Sequence, residues 1–279
     1  AVRTPTGKAP NGKLRTVRPD DLAALCLKEV LERAPGVTAD LIDDVILGCA
    51  MPEGVQGMNL ARIASQRAAL PDTVPGATIN RCCASGLEAI AIGAQRILSG
   101  MADIIIAGGA ESMSLVPMGG FRMAPNPCLV DHMPDAYLAM GLTAENVAAT
   151  FGVSREDQDR FSYESHQKAI AALDGGKFKD ESVPVPVREV SLNGHGTKTI
   201  NEFVFDADEG PRRDTSLAKL ASLKPAFNPR GTVTAGNASQ RSDGAAAVLL
   251  VSGETLQALG LEPRARFVTY AVGGVPPGI

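Results

Sequence analysis

The sequence predicts an α/β layered domain with a second, smaller domain inserted into it. Three observations carry that reading. Short, continuous apolar runs alternate with segments of helical periodicity through residues 20–109. The texture changes over residues 114–236, which begin rich in Pro and Met. Regular, strand-like sequence then returns at 243–252.

In chain order, 1–4 reads as a strand, and 20–34 (DDLAALCLKEVLERA) opens on Asp and sets Leu22, Leu25, Cys26, Val30 and Leu31 on one helical face. Residues 45–50 (VILGCA) form a short apolar run, the mark of a strand covered on both sides. A helix is expected over 59–70, a strand over 77–82, and a second helix from Leu87 through Ala94, Ile97 and Leu98, ended by Gly100. Residues 103–109 (DIIIAGG) read as another buried strand. Inside the altered stretch, 154–173 is a charged helix expected to turn Phe161 and Ile170 inward, and 182–190 is a strand. Residues 243–252 (DGAAAVLLVS) suggest a small-residue helix or turn running into a strand, and 266–271 one strand more.

Composition narrows the class. At 279 residues, 44% hydrophobic and 21% charged, the chain has the balance of a globular protein with a sizeable core and room for about two domains. A net charge of −4 provides no basic stripe and argues against a nucleic-acid partner. No apolar run approaches the ~20 residues of a membrane-spanning helix, and the first residues carry no signal-peptide pattern. The expected compartment is therefore reducing: the cytoplasm, or an organelle matrix in a eukaryote. Five cysteines, without a C-x-x-C pair or a His-rich partner set, argue against a disulfide framework or a metal site.

The most informative segment is Thr78-Ile79-Asn80-Arg81-Cys82-Cys83-Ala84-Ser85-Gly86-Leu87. It sets a cysteine between an apolar strand and a helix that begins with small residues. A helix N-terminus carries unpaired N–H groups and partial positive charge, which favour thiolate over thiol. Ala84, Ser85 and Gly86 leave room for a carbonyl to approach the sulfur, the arrangement of a covalent nucleophile. The competing reading makes Cys82 and Cys83 small core residues, since free cysteine is among the most buried residue types.

The pattern Asn80-x-x-Cys83-Ala84-Ser85-Gly86-Leu87 resembles the nucleophile signature of the thiolase family, and only Cys83 falls at the nucleophile position, with Cys82 directed into the core. The resemblance runs through most of the chain. Arg3-Thr4-Pro5, Asn59-Leu60-Ala61-Arg62, Gly108-Gly109-Ala110-Glu111-Ser112-Met113-Ser114, Met140-Gly141 with Thr143-Ala144-Glu145-Asn146, Leu223-Lys224-Pro225-Ala226-Phe227, GTVTAGNAS at 231–239 and Ser242-Asp243-Gly244-Ala245 follow in the family's order.

The resemblance implies a thiolase fold, two α/β halves packed as αβαβα layers, with a loop domain inserted in the first half. On this chain it assigns 1–113 and 237–262 to the first half, 114–236 to the loop domain and 263–279 to the start of a second half that is otherwise nearly absent. It also implies that the loop domain holds coenzyme A through Met140, Arg212, Leu223, Ala226, Phe227, Ala235 and Ser239: an apolar wall, a cation for phosphate and a hydroxyl for an amide. Taken without the family, each of these is an ordinary core or surface residue. Coenzyme A enters as a substrate, and no cofactor or metal is implied.

The implied activity is acyl transfer through a Cys83 acyl-enzyme, by thiolytic cleavage of a 3-ketoacyl-CoA or the reverse Claisen condensation. The family's acid/base and oxyanion groups come from a Gly-His-Pro histidine, a Cys-x-Gly cysteine and an Asn-Glu motif, none of which occurs here. His132, His166 and His195 stand in other contexts and read as surface or loop residues. The 279-residue chain alone is therefore expected to be inactive. Ala139 precedes Met140-Gly141 where short-chain acetoacetyl-CoA thiolases often carry His, which favours a broad-range 3-ketoacyl-CoA thiolase. The alternatives are an acetoacetyl-CoA thiolase (acetyl-CoA C-acetyltransferase) and a non-catalytic unit for CoA binding or assembly. The family pairs through its first halves, so a homodimer or homotetramer is expected, with 103–109 leaving an edge that needs cover.

Overall fold

The computed structural model describes residues 1–192 and 196–279. In chain order the elements are β1 (Val2–Arg3), β2 (Gly7–Lys8), α1 (Pro19–Glu32), β3 (Asp44–Gly48), α2 (Leu60–Arg67), β4 (Gly76–Ile79), α3 (Ser85–Leu98), β5 (Ile104–Ser112), α4 (Pro127–His132), α5 (Met140–Phe151), α6 (Arg155–Asp174), β6 (Val185–Leu192), β7 (Lys198–Phe205), α7 (Leu217–Ala221), β8 (Ser242–Val251) and α8 (Gly253–Ala258). They divide into two compact units. The first comprises Ala1–Phe121, Phe178–Gly210 and Arg241–Tyr270, and the second Arg122–Lys177, Pro211–Gln240 and Ala271–Ile279.

The first unit is built on a mixed sheet ordered β1-β8-β5-β3-β4, with β2 also paired to β8. β3 runs parallel to β4 and β5, and β8 antiparallel to β5. Every residue of β3 is buried, and side-chain alternation sorts them. Val45 and Leu47 join the larger core with Leu22, Cys26, Leu27 and Val30 of α1 and Leu60, Ala61 and Ala64 of α2. Ile46 joins Ile105, Ala107 and Ala89 of α3 on the other face. Helices thus cover both faces of the sheet, as the unbroken apolar runs foretold.

α1 begins with Pro19 and places Asp20 and Asp21 in its first turn, both favourable at the positive end of a helix. α3 lies close on the sheet because its inward positions are small: a β-carbon on Gly93 would stand 2.7 Å from Leu250 Cδ1.

Several expectations change. Residues 242–251 are extended throughout, because Ala245, Ala246 and Ala247 pair with the equally small Ala110, Gly109 and Gly108, and Gly244 with Glu111. A β-carbon on Gly108 would fall 2.0 Å from Ala246 O, so this crossing requires small residues. Residues 266–271 are not a strand; among the described residues none runs beside them to complete a ladder. β5 is interior, flanked by β3 and β8, so the expectation of an edge at 103–109 is corrected and β4 stands at the sheet edge instead.

The stretch 114–236 is divided between the two units. The hairpin β6–β7 belongs with the first: Val183, Val185, Val187 and Phe205 are buried in its larger core, and Arg3 N–H donates to Glu181 O at 2.8 Å. Arg3 also forks onto Asp208 at 2.8 and 3.1 Å. In the second unit, α6 follows an N-cap at Ser154, whose Oγ accepts from Asp157 N at 3.1 Å. Phe161 on α6 is 75% exposed, against the expectation that it faces inward, while Asp159 is the buried residue of that helix. Asp159 is held there by Arg155 Nε at 2.9 Å and Asn237 Nδ2 at 2.9 Å, so polar pairing sets which face turns in. The loop reading of His195 lies outside the described residues.

Candidate active site

The sharpest chemistry sits where β4 passes into α3. Asn59 caps α2 by accepting from Arg62 N, and Thr78 on β4 donates to Asn59 Oδ1 at 2.8 Å while accepting from Ala61 N at 3.0 Å. The strand end is therefore pinned to the first turn of a neighbouring helix. Asn80 continues the chain by donating Nδ2–H to Ala50 O at 2.9 Å and accepting from Cys82 N at 2.8 Å.

Cys82 adopts φ +47°, the left-handed region that side-chain-bearing residues rarely enter. Ser85 holds the turn closed: its Oγ accepts from Arg81 N at 2.8 Å and donates to Cys82 O at 2.6 Å. The strand expected to reach residue 82 ends at Ile79, and the helix expected from Leu87 starts at Ser85. Cys82 is exposed, not part of the core, because the left-handed turn breaks the strand alternation that would have sent it inward. Cys83 is exposed too, one residue before Ala84 at the head of α3, with no side chain capping the helix.

Glycines form the floor of this corner. A β-carbon on Gly48 would meet the carbonyl carbon of Ser85 at 2.3 Å, and one on Gly109 would meet Gly48 O at 2.9 Å and Gly86 Cα at 3.5 Å. Gly48 and Gly109 are register partners on β3 and β5. The start of α3 therefore rests directly on bare backbone.

Next to it, Glu111 collects the loop after β3, accepting from Ala50 N at 2.6 Å, from Met51 N at 3.2 Å and from Gln56 Nε2. Burial, reinforced by Glu111, pushes the Cys49 thiol up to about 12, which keeps it protonated and unreactive. Ser112 and Ser114 both bond Asp243, at 3.2 and 2.5 Å, tying β5 to β8. The motif of residues 108–114 thus supports the site without supplying its reactive group.

The second unit holds the seven residues implied for coenzyme A. Met140 opens α5 and is exposed, and the next residue, Gly141, lies under Phe227, whose ring would stand 2.2 Å from a β-carbon there. Ala226 N donates to Val233 O at 2.9 Å, and Pro225 bridges Thr234, bringing Ala226 and Phe227 beside the turn that carries exposed Ala235. Leu223 closes over Gly236, its Cδ1 2.5 Å from where a β-carbon would be. Ser239 is exposed, its Oγ donating to Gln240 O at 3.3 Å. Arg212 is exposed on the segment before α7, its N–H donating to His166 Nδ1 at 3.1 Å.

Sequence reasoning passed over the residue that fixes much of this surface. Glu145 accepts from Thr232 N at 2.9 Å, Val233 N at 2.9 Å and Thr232 Oγ1 at 3.2 Å, so α5 carries the 231–239 segment on one carboxylate. Among the described residues no group of three or more His, Cys, Asp or Glu is arranged to hold a metal ion, and no helix is long and apolar enough to cross a membrane.

An exposed cysteine at a strained strand–helix corner, beside a glycine floor, on a mixed sheet covered by helices, is the arrangement of a covalent cysteine nucleophile on an α/β scaffold. The family description "Thiolase, N-terminal domain" matches residues 1–254, and the chain belongs to the thiolase family. It is 54% identical over its whole length to a 3-ketoacyl-CoA thiolase of Bacillus subtilis and 44% identical to an acetyl-CoA acetyltransferase of Pseudomonas aeruginosa, spanning 71% of each. The crystal structure of the Bacillus anthracis acetyl-CoA acetyltransferase superposes with a TM-score of 0.80 at 38% identity, covering 94% of this chain and 66% of that one.

Proposed function

We propose that Cys83 is the acyl-carrying nucleophile of an acyl-CoA acyltransferase that cleaves 3-ketoacyl-CoA thiolytically or, in the opposite direction, forms it by Claisen condensation. The observation that carries this reading is the exposure of Cys83 at the uncapped start of α3, directly after the left-handed residue Cys82. The thiolate attacks the keto carbon, the bond to the α-carbon breaks, the acetyl-CoA enolate leaves and takes up a proton, and a second CoA thiol takes the acyl group from sulfur as its own proton returns to cysteine. The B. subtilis relative, at 54% identity, supports a 3-ketoacyl-CoA substrate over acetoacetyl-CoA alone. Acetyl-CoA C-acetyltransferase activity is the second reading, supported by the name of the P. aeruginosa relative.

Coenzyme A is assigned to the surface of Met140, Arg212, Leu223, Ala226, Phe227, Ala235 and Ser239, where exposed apolar groups and an exposed cation suit a pantetheine arm and a phosphate. A homodimer or homotetramer in the cytoplasm completes the reading. The deciding experiment incubates the protein with acetyl-CoA and maps the thioester by mass spectrometry. Acetyl on Cys83, lost in Cys83→Ala and retained in Cys82→Ala, is the expected result; acetyl on Cys82 or Cys128 instead would remove Cys83 from this role.

A further inference from the structure

The nucleophile turn is bridged by an ion pair that its backbone bonds do not explain. Arg81 stands two residues before Cys83 and Glu88 five residues after it. The guanidinium grips the carboxylate with both nitrogens of one edge, Nε to Oε2 at 2.5 Å and Nη2 to Oε1 at 3.1 Å. The Tyr270 hydroxyl donates to the same Oε2. Most surface ion pairs contribute little because two long side chains must be held in one geometry for a weak, solvent-screened attraction. This one differs in kind. The fork is bidentate, the Glu88 side chain is only 13% exposed, and a third donor fixes the carboxylate from another segment.

We infer that Arg81 and Glu88 form a clamp that positions Cys83 for acyl transfer. The inference rests on the nucleophile role proposed for Cys83. Three elements of the turn make a clamp mechanically useful. Cys82 occupies the left-handed region, a conformation that persists only when its surroundings impose it. The start of α3 cannot settle deeper, since Gly48 already meets Ser85 backbone. The backbone bonds, Ala84 N to Arg81 O at 3.0 Å and Ser85 N to Cys82 O at 3.1 Å, and the two bonds of the Ser85 hydroxyl hold the turn at the first residue of α3 and leave its tilt to what ties it further along the helix. A tie from Arg81 to a residue one turn into the helix fixes that tilt, and with it the direction of the Cys83 sulfur. Arg81 and Glu88 touch neither substrate nor sulfur in this role; they act through the turn.

The test uses the 279-residue protein and two probes of Cys83. One is acetylation by acetyl-CoA, in which the sulfur bonds to the acetyl carbonyl carbon, the CoA–carbonyl bond breaks, and the departing CoA takes up the proton that cysteine gave up. The other is alkylation by iodoacetamide, with exposed Cys128 as internal reference. In Arg81→Gln and Glu88→Gln both Cys83 rates should fall on the order of tenfold, as expected for misplacement of a reacting atom, with Cys128 unchanged and the protein still fully folded at the assay temperature. The exchanged pair, Arg81→Glu with Glu88→Arg, should return both rates to within about twofold of the parent, a rescue that a merely structural role would not produce. Cys83 rates unaltered in the single variants, or no recovery in the exchanged pair, would overturn the clamp. If the parent takes no acetyl on Cys83, as the absence of the family's acid/base groups allows, the alkylation series alone decides the clamp.

Discussion

Gly48 of β3 faces the carbonyl carbon of Ser85 so closely that a β-carbon there would stand 2.3 Å away. No real contact between carbon atoms is that short, and the obstacle is backbone at the head of α3, not the end of a flexible side chain. Gly48→Ala must therefore lift the first turn of α3 from the sheet and carry Cys83 with it. The cost is that of overpacking, about 1–3 kcal/mol or more, read as a lower urea midpoint. Acetylation of Cys83 should slow by more than the loss of stability accounts for, because folded molecules would hold the sulfur out of place. Gly260→Ala, where nothing lies within 4 Å but φ is +64°, is the control that costs stability without touching Cys83.

The five cysteines should separate cleanly by reactivity. Burial lifts Cys26 to about 12, and burial together with Glu111 lifts Cys49 to about 12. Neither supplies thiolate at pH 8. Iodoacetamide on the folded protein should label Cys82, Cys83 and Cys128, all exposed, and reach Cys26 and Cys49 only after denaturation. Peptide mapping across a time course checks it, and early label on Cys49 would contradict the packing around Glu111.

The bond between Arg3 and Asp208 joins β1 to the segment after the β6–β7 hairpin across 205 residues of sequence. Burial alone would raise the Asp208 carboxyl, but the Arg3 fork and the Thr6 N–H at 2.7 Å outweigh it and hold the group below its ordinary value of 3.8. A carboxylate held below its unfolded value stabilises the fold fully above that value, and the stabilisation fades as pH falls through the lower folded one. The hairpin β6–β7 should thus loosen from the sheet as acid is added below pH 3.8. Asp208→Asn should flatten that acid limb and lower stability at pH 7 by about 1–3 kcal/mol, the usual loss when a charge-assisted hydrogen bond to a part-buried partner is removed. Denaturant midpoints of the two proteins between pH 3 and pH 7 measure it.

What the sequence made legible was local. A strand, a cysteine, small residues and a helix are neighbours in the chain, so the corner at Cys83 could be found by reading along it. Alternation carried past Ile79 sends Cys82 inward, and only the bonds of Asn80 and Ser85 reveal a left-handed turn there. The hairpin's place in the first unit cannot be read along the chain, because its partners, Arg3 and the core of α1, lie far away in sequence. The extended form of 242–251 was equally hidden: a run of alanines favours helix until Gly108 and Gly109 present a surface that only small residues can cross. Glu145 escaped notice because its three backbone and hydroxyl donors sit 87 and 88 residues on.

Glu145 leads to the last prediction, which concerns coenzyme A. If the surface around Phe227 and Ser239 binds it, two kinds of variant should weaken binding by different routes. Arg212→Ala removes an exposed cation suited to phosphate, and the loss should shrink as salt rises, because exposed charges are screened. Ser239→Ala removes one neutral hydrogen bond, an effect of about 0.5–1.5 kcal/mol that salt should leave alone. Glu145→Gln touches no proposed contact, yet it weakens the carboxylate that collects Thr232 and Val233, so it should lower affinity while raising the mobility of residues 231–239. Calorimetric titration at two ionic strengths separates the first two, and amide hydrogen exchange at Thr232 and Val233 identifies the third. Unchanged affinity in Arg212→Ala and Ser239→Ala would place coenzyme A elsewhere on the protein, whatever Glu145→Gln does.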